Sequence, residues 1–170
     1  MKAAGALFIV AACTWYGVIK AAGLCRRERT LAAFLETLRF ISAELSNSAS
    51  PLPELFLRLS KTARPELRPF FAGLSESMDS IGERSLSSLW QERLMSDESL
   101  ELSQFQRLEL CRPGLMLGRY DAQEQIAALE SCVSRLEPEL REQARRAREG
   151  KRLYTGLGLI GGIMAATVIL

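Results

Sequence analysis

Residues 30–45 read TLAAFLETLRFISAEL. Leu31, Phe34, Leu35, Leu38, Ile41 and Leu45 recur there at intervals of three and four, a spacing that lines one face of an α-helix and that a strand does not reproduce. The helix ends near Asn47, and the next dozen residues repeat the pattern. Ser50 stands before Pro51 as a cap before the residue best tolerated in a first helical turn, and Leu52, Leu55, Phe56 and Leu59 carry the apolar face into a second helix. A break at Arg64 and Pro65 leads to a third helix that starts by Pro69, with Phe70, Phe71, Leu74 and Met78 inward. Ser85 then caps a fourth helix carrying Leu86, Leu89, Trp90 and Leu94, in which Trp90 is the expected core anchor. A fifth helix is expected over Ser99 to Cys111, with Leu102, Phe105 and either Leu108 or Leu110 inward, interrupted by Pro113 and Gly114; Leu115 and Leu117 would add one turn up to Gly118. In the last pattern Asp121 and Glu124 form an N-cap pair ahead of Ile126, Leu129, Val133, Leu136, Leu140, Ala144 and Ala147, and Pro138 is expected to kink or divide the run. No stretch alternates like a strand for more than a few residues, so residues 30–150 read as all-α, a small antiparallel bundle of several helices.

At 170 residues the chain has room for one such core and two further segments, and the charge distribution marks them. Every Asp and Glu lies between Glu28 and Glu149. Residues 3–24 and 153–170 are apolar runs, interrupted only by Lys20, each long enough as a helix to approach the thickness of a hydrocarbon core. Arg26, Arg27 and Arg29 come just after the first run, whereas Arg145, Arg146, Arg148, Lys151 and Arg152 precede the second. By the positive-inside rule both clusters hold the middle of the chain in the cytoplasm, so two transmembrane helices are expected, the first N-out and the last C-out. Trp15, Tyr16 and Tyr154 fall near headgroup level. Val10, Ala11, Ala12 and Cys13 have the form of a lipoprotein cleavage site, but the apolar stretch before Cys13 is short, Trp15 to Ile19 stay apolar beyond it, and cleavage would export the Arg26 cluster. Gly158, Gly162 and Ala166 fall four apart, which is either a small-residue ridge for close helix packing, against the first span or a second copy, or the ordinary glycine content of a membrane helix.

The side chains that usually carry chemistry are scarce. There is no histidine, and Cys13, Cys25, Cys111 and Cys132 show no CxxC spacing, so they read as reduced thiols serving as small apolar groups. No phosphate loop, nucleophile elbow or triad is present. Asp97, Glu98 and Glu101 read as a solvated loop, and Ser85, Ser87 and Ser88 as a helix start. The basic run from Arg141 to Arg152 interleaves Glu142 and Glu149 beside an expected span, which suits anionic headgroups better than nucleic acid. The sequence therefore points to no catalytic residue, no cofactor, no metal and no nucleic-acid partner, and to a protein that is not an enzyme.

Several short elements occur in a telling order: Thr14, Trp15 and Gly17 in the first run; Ser50, Pro51, Leu52, Pro53 and Glu54; the Leu89 and Trp90 pair; Leu117, Gly118, Arg119, Tyr120 and Asp121 with Gln125; and Arg152, Leu153, Tyr154, Leu157 and Gly158. Together, over nearly the whole chain, they resemble the stage III sporulation protein AB family of endospore-forming bacteria. Cys111 to Gly114 and Pro138 depart from the pattern of that family. The resemblance implies a membrane component of the channel apparatus linking mother cell and forespore, in the mother-cell membrane around the forespore. It further implies a cytoplasmic bundle similar to one repeat of the inner-membrane platform protein of type II secretion and type IV pilus systems. The implied partners are the lipid bilayer, a cytoplasmic secretion-type ATPase and other membrane components of the channel, and the small-residue ridge of the last span leaves self-association open; Arg58, Lys61 and Arg64, or Arg84 and Arg93, are candidate ATPase contacts or simply a solvated helix face. Two function classes stay open on the residues alone, a platform or coupling subunit and a membrane-anchored regulator or enzyme unrelated to secretion.

Overall fold

The computed structural model describes the backbone of residues 2–47, 51–78 and 84–169, and the side chains of residues 22–47, 51–78 and 84–150 together with Trp15 and Ile19. Six α-helices succeed one another: α1 Lys2–Asn47, α2 Leu52–Thr62, α3 Arg68–Ser77, α4 Leu86–Ser96, α5 Gln104–Met116 and α6 Ala122–Ile169, with a 3-10 turn, Glu98–Leu100, before α5. No β-strand forms among the described residues. The chain divides into two compact units, one of Arg29–Leu140 and one that combines Met1–Glu28 with Arg141–Leu170.

The helix boundaries obey local chemistry, with several departures from the sequence reading. First, α1 is continuous from Lys2, with no second start near Thr30, because nothing in Cys25–Thr30 breaks a helix: there is no proline, no glycine and no competing cap. Second, Pro51 itself is the N-cap of α2, and Pro53 occupies the first turn where its missing N–H costs nothing. Ser50, the expected cap, lies outside the described residues. Third, neither internal proline ends its helix: α5 runs through Pro113 and α6 through Pro138. Around Pro138 the carbonyl released is that of Ser134, and both residues lie on the exposed face, where solvent satisfies it. The caps of α4 and α6 fall where expected, whereas α5 starts at Gln104 behind Ser103 and not at Ser99. Ser85 accepts from the Ser88 N–H at the start of α4, and Asp121 Oδ1 accepts from the Glu124 N–H at 2.8 Å at the start of α6.

Among the described residues no helix is long and apolar enough to cross a membrane. The spans expected at 3–24 and 153–170 fall almost wholly on residues whose side chains lie outside the description, as do Gly158, Gly162 and Ala166, Lys151 and Arg152.

The core of the Arg29–Leu140 unit is a cluster of rings. Leu31, Phe34, Leu35, Leu38 and Ile41 of α1 are fully buried, as the spacing of residues 30–45 requires. Phe34 meets Phe70 edge-on at 5.5 Å, Phe70 meets Trp90 at 5.1 Å and 90°, and Phe56 and Phe71 each lie about 6 Å from Trp90. Trp90 thus joins α4 to α2 and α3, and it reaches α5 as well: its Nε1–H donates to the Leu110 carbonyl at 2.8 Å. A Cβ at Gly114 would lie 2.3 Å from the indole Cδ1, so only glycine lets α5 approach this closely. The turn between α5 and α6 is fastened by Gln125. Its Oε1 accepts from the N–H of Gly118, which is in the left-handed region at φ 76°, and its Nε2 donates to the Tyr120 carbonyl at 2.6 Å.

Trp90→Ala is expected to destabilise the full-length protein by about 3–5 kcal/mol in denaturant titrations followed by circular dichroism, since a rigid ring cluster collapses poorly. Gly114→Ala is destabilising in the native background but less so beside Trp90→Ala, where the methyl has a void to enter. Additive effects of the two changes would contradict the close approach.

Candidate interaction surface

Helix α5 is set by its ends and by its contacts with α4 and α6. Ser103 and Gln106 form a reciprocal capping box: the Ser103 hydroxyl accepts from the Gln106 N–H at 3.2 Å, and Gln106 Oε1 accepts from the Ser103 N–H at 3.0 Å. Arg107 donates to the carbonyls of Leu94 and Asp97 at the end of α4, a cation placed at the negative end of that helix. Pro113, having no N–H, leaves the Glu109 carbonyl without its helical donor, and the Cys132 thiol of α6 donates to that oxygen at 3.3 Å. The proline that reads as a helix stop therefore supplies an acceptor for the neighbouring helix.

These contacts fix which way α5 faces, and the outcome departs in part from the expected amphipathic pattern. Its buried residues are Gln106, Glu109, Leu110, Pro113 and Gly114. Phe105 and Leu108 are each 52% exposed and Leu115 49%. Of the residues expected inward, Leu102 is buried, and of the alternatives Leu108 and Leu110 it is Leu110 that is buried; Phe105 is corrected to the exposed face, and at Gly114 the Trp90 indole leaves no room for a side chain. Glu109, 9% exposed at its side chain, is held by Arg112 Nε at 3.3 Å and Arg135 Nε at 3.9 Å. A signal that sets the phase is present in the sequence: Ser103 three residues before Gln106 marks a helix start one residue after the serine.

The cationic groups expected from sequence as partner contacts are largely answered within the chain. Arg58 pairs with Glu44 at 2.7 Å and lies over the Phe40 ring, Arg64 pairs with Glu36 at 2.7 Å, and Arg84 pairs with Glu92. Arg93 donates to the Gly73 carbonyl at 3.2 Å. Lys61 is exposed, with no ion pair among the described residues.

The basic flanks are also arranged. Arg26, Arg27 and Arg29 lie on α1 before the buried face begins. On α6 both Arg145 and Arg146 hydrogen-bond Glu142, at 3.0 and 2.9 Å, and Arg148 donates to the Ala144 carbonyl. Those two guanidinium hydrogen bonds pull the Glu142 carboxyl down to about 2. The Cys132 thiol is pushed up to about 12, first by burial and then by the Glu109 charge. A groove between α1 and α6 has Leu38, Leu129 and Val133 at its floor and the Arg39–Glu137 ion pair and Ser42 among its lining, an arrangement of packing and surface charge. No three metal-binding side chains converge among the described residues.

A family model for stage III sporulation protein AB matches residues 2–170. The chain belongs to the stage III sporulation protein AB family. A curated member, the stage III sporulation protein AB of Bacillus subtilis strain 168, is 23% identical over 171 aligned residues that cover 100% of this chain and 99% of the relative. No solved structure matches. Membership gives this chain a role in sporulation. It also gives physical content to two of the short elements read from the sequence: Leu89–Trp90 is the hub of the ring cluster, and Leu117–Asp121 with Gln125 is the clasped turn whose Gly118 packs beside Leu52 and Leu86.

Cys132 is expected to resist maleimide at neutral pH in the native protein and to label readily in denaturant, with a folded-state rate suppressed at least ~100-fold by its lowered thiolate fraction; peptide mapping reads this directly. Glu142, whose depressed carboxyl contributes stability above the ordinary carboxylate range and loses it only as pH falls through about 2, should remain ionised at pH 4 by carboxyl NMR. Arg145→Ala should move its midpoint upward, and an unchanged midpoint would remove the assigned cause.

Proposed function

We propose that this chain is a non-enzymatic membrane platform, or coupling subunit, of a secretion-like channel complex between mother cell and forespore, and that it docks a cytoplasmic ATPase. The observation that carries this reading is helical continuity at both ends: α1 and α6 each run without a break between charged, core-forming sequence and an uncharged end run flanked by arginines. Residues 3–24 and 153–170 would cross the bilayer with the bundle in the cytoplasm, in the mother-cell membrane around the forespore. Trp15 and Ile19, one turn apart on α1, are 72% and 54% exposed, which suits side chains that meet lipid. The grouping of Met1–Glu28 with Arg141–Leu170 in one unit suits a pair of neighbouring spans, for which Gly158, Gly162 and Ala166 would supply close packing. A bundle in which Arg39, Arg58, Arg64, Arg84 and Glu109 are engaged in ion pairs is suited to transmit movement rather than to carry out chemistry.

Single cysteines introduced near Ser48, Ser87 and Ser99 are expected to resist membrane-impermeant reagents in intact cells and to react after lysis; labelling before lysis would place the bundle outside. The full-length protein in detergent micelles should bind the ATPase of the same complex, more tightly at low than at physiological salt. Failure at both salts, with the protein folded by circular dichroism, would remove direct docking.

A further inference from the structure

We propose that the arginine face at the end of the charged part of α6 holds the phosphate of an anionic phospholipid at Arg148, and that the Glu142 carboxylate sets how much more of that face takes part. The inference rests on the proposed reading of residues 153–170 as a span. Within the unit of Met1–Glu28 and Arg141–Leu170, Arg141, Arg145 and Arg148 follow one another at intervals of four and three, so they line one face of α6, and all three are exposed. Ala147 and Gly150, on the roughly opposite face, are buried, so the arginine face is turned away from the packing of the unit. From Arg141 to Arg152 the sequence has six cations against two carboxylates, and α1 adds Arg26 and Arg27 against Glu28.

The two carboxylates are not shared evenly. Glu142 takes Arg145 through Nε and Nη2, each at 3.0 Å, and Arg146 through Nε at 2.9 Å, and Arg145 also meets Glu149 at 3.5 Å. Arg148 has no carboxylate partner among the described residues: its Nε donates to the Ala144 carbonyl, which the helix already supplies with the Arg148 backbone N–H, so that contact is given up at little cost. A guanidinium recognises carboxylate and phosphate with the same fork of N–H donors, and two guanidiniums already meet on Glu142, so an oxyanion is the ligand chemistry of this surface. Position decides its source. From the helical rise, Arg148 lies about 8 Å and Arg141 about 18 Å before the uncharged run. The attraction of an anionic surface fades within a Debye length of about 8 Å at physiological salt. Lipid phosphate is therefore in range of Arg148 and out of range of Arg141, whereas a dissolved anion or a nucleic acid would meet the whole face.

The test uses the full-length protein in nanodiscs of phosphatidylcholine carrying a small fraction of spin-labelled phosphatidylglycerol or spin-labelled phosphatidylcholine, with the protein-bound fraction of each label read by electron paramagnetic resonance. The expected result is a preference of about fivefold for phosphatidylglycerol, lost in Arg148→Gln, raised about twofold in Glu142→Gln, which releases Arg145 and Arg146, and unchanged in Arg141→Gln. Equal binding of the two lipids would overturn the inference, as would a preference that survives Arg148→Gln, that Glu142→Gln fails to raise, or that Arg141→Gln also removes. Loss of the preference to millimolar inorganic phosphate at constant ionic strength would assign the surface to a dissolved anion, and binding of a single-stranded oligonucleotide that Arg148→Gln abolishes would assign it to nucleic acid; either overturns the inference. Carbonate extraction separates it from the reading it rests on. Protein that stays in phosphatidylcholine bilayers after carbonate and shows no lipid preference keeps the span and removes the phosphate site. Protein extracted from them by carbonate, yet bound to phosphatidylglycerol vesicles at physiological salt through Arg148, removes the span and keeps the phosphate site.

Discussion

An indole N–H closed inside an apolar core must find an acceptor, and the rest of the bundle is arranged around where Trp90 finds one. The acceptor is a backbone carbonyl of α5, so α5 has to come near enough for a 2.8 Å hydrogen bond to reach it. That proximity fixes the residue at 114 as glycine. It also orients the edge-on contacts of Trp90 with Phe70 and Phe71, through which α3 is held. Few substitutions near this point act on one helix alone.

The face that α5 turns to solvent has its origin in the same constraint. A helix normally places its largest apolar residues against the core because that removes the most apolar surface from water. Here the indole fills the space at Gly114, and beside Leu110 the helix buries two polar side chains: Gln106 Oε1 serves the cap and Glu109 is ion-paired with two arginines. The apolar residues left outside, Phe105, Leu108 and Leu115, are then surface that the fold itself does not use.

Much of this is legible in the sequence wherever one physical rule dominates. The face of α1 from Leu31 to Ile41, the Ser85 and Asp121 caps and the role of Trp90 come from spacing and capping alone, and all are present. The α5 region reads differently in sequence and structure because two faces of that segment carry apolar residues at helical spacing. Choosing between them needs the position of Trp90, a residue brought close only by the tertiary fold. Pro113 misleads for a related reason: a missing N–H is a defect within its own helix, but it becomes an acceptor site once Cys132 stands opposite. At the chain ends, the identity of the basic flanks is plain, whereas the use of Arg145 and Arg146 to hold Glu142 depends on helix geometry that charge counting does not convey.

The division of the chain into a continuous unit and a split one has a consequence for its biogenesis. Arg29–Leu140 is one unbroken stretch of sequence, whereas the other unit combines Met1–Glu28 with Arg141–Leu170. As the chain leaves the ribosome, the bundle is complete while the first segment still lacks its counterpart. The opening helix must therefore be tolerated alone for the time it takes to synthesise everything between the two segments. A stall or truncation after Leu140 would leave a folded bundle attached to an unmatched helix, a species that quality-control proteases are well placed to recognise.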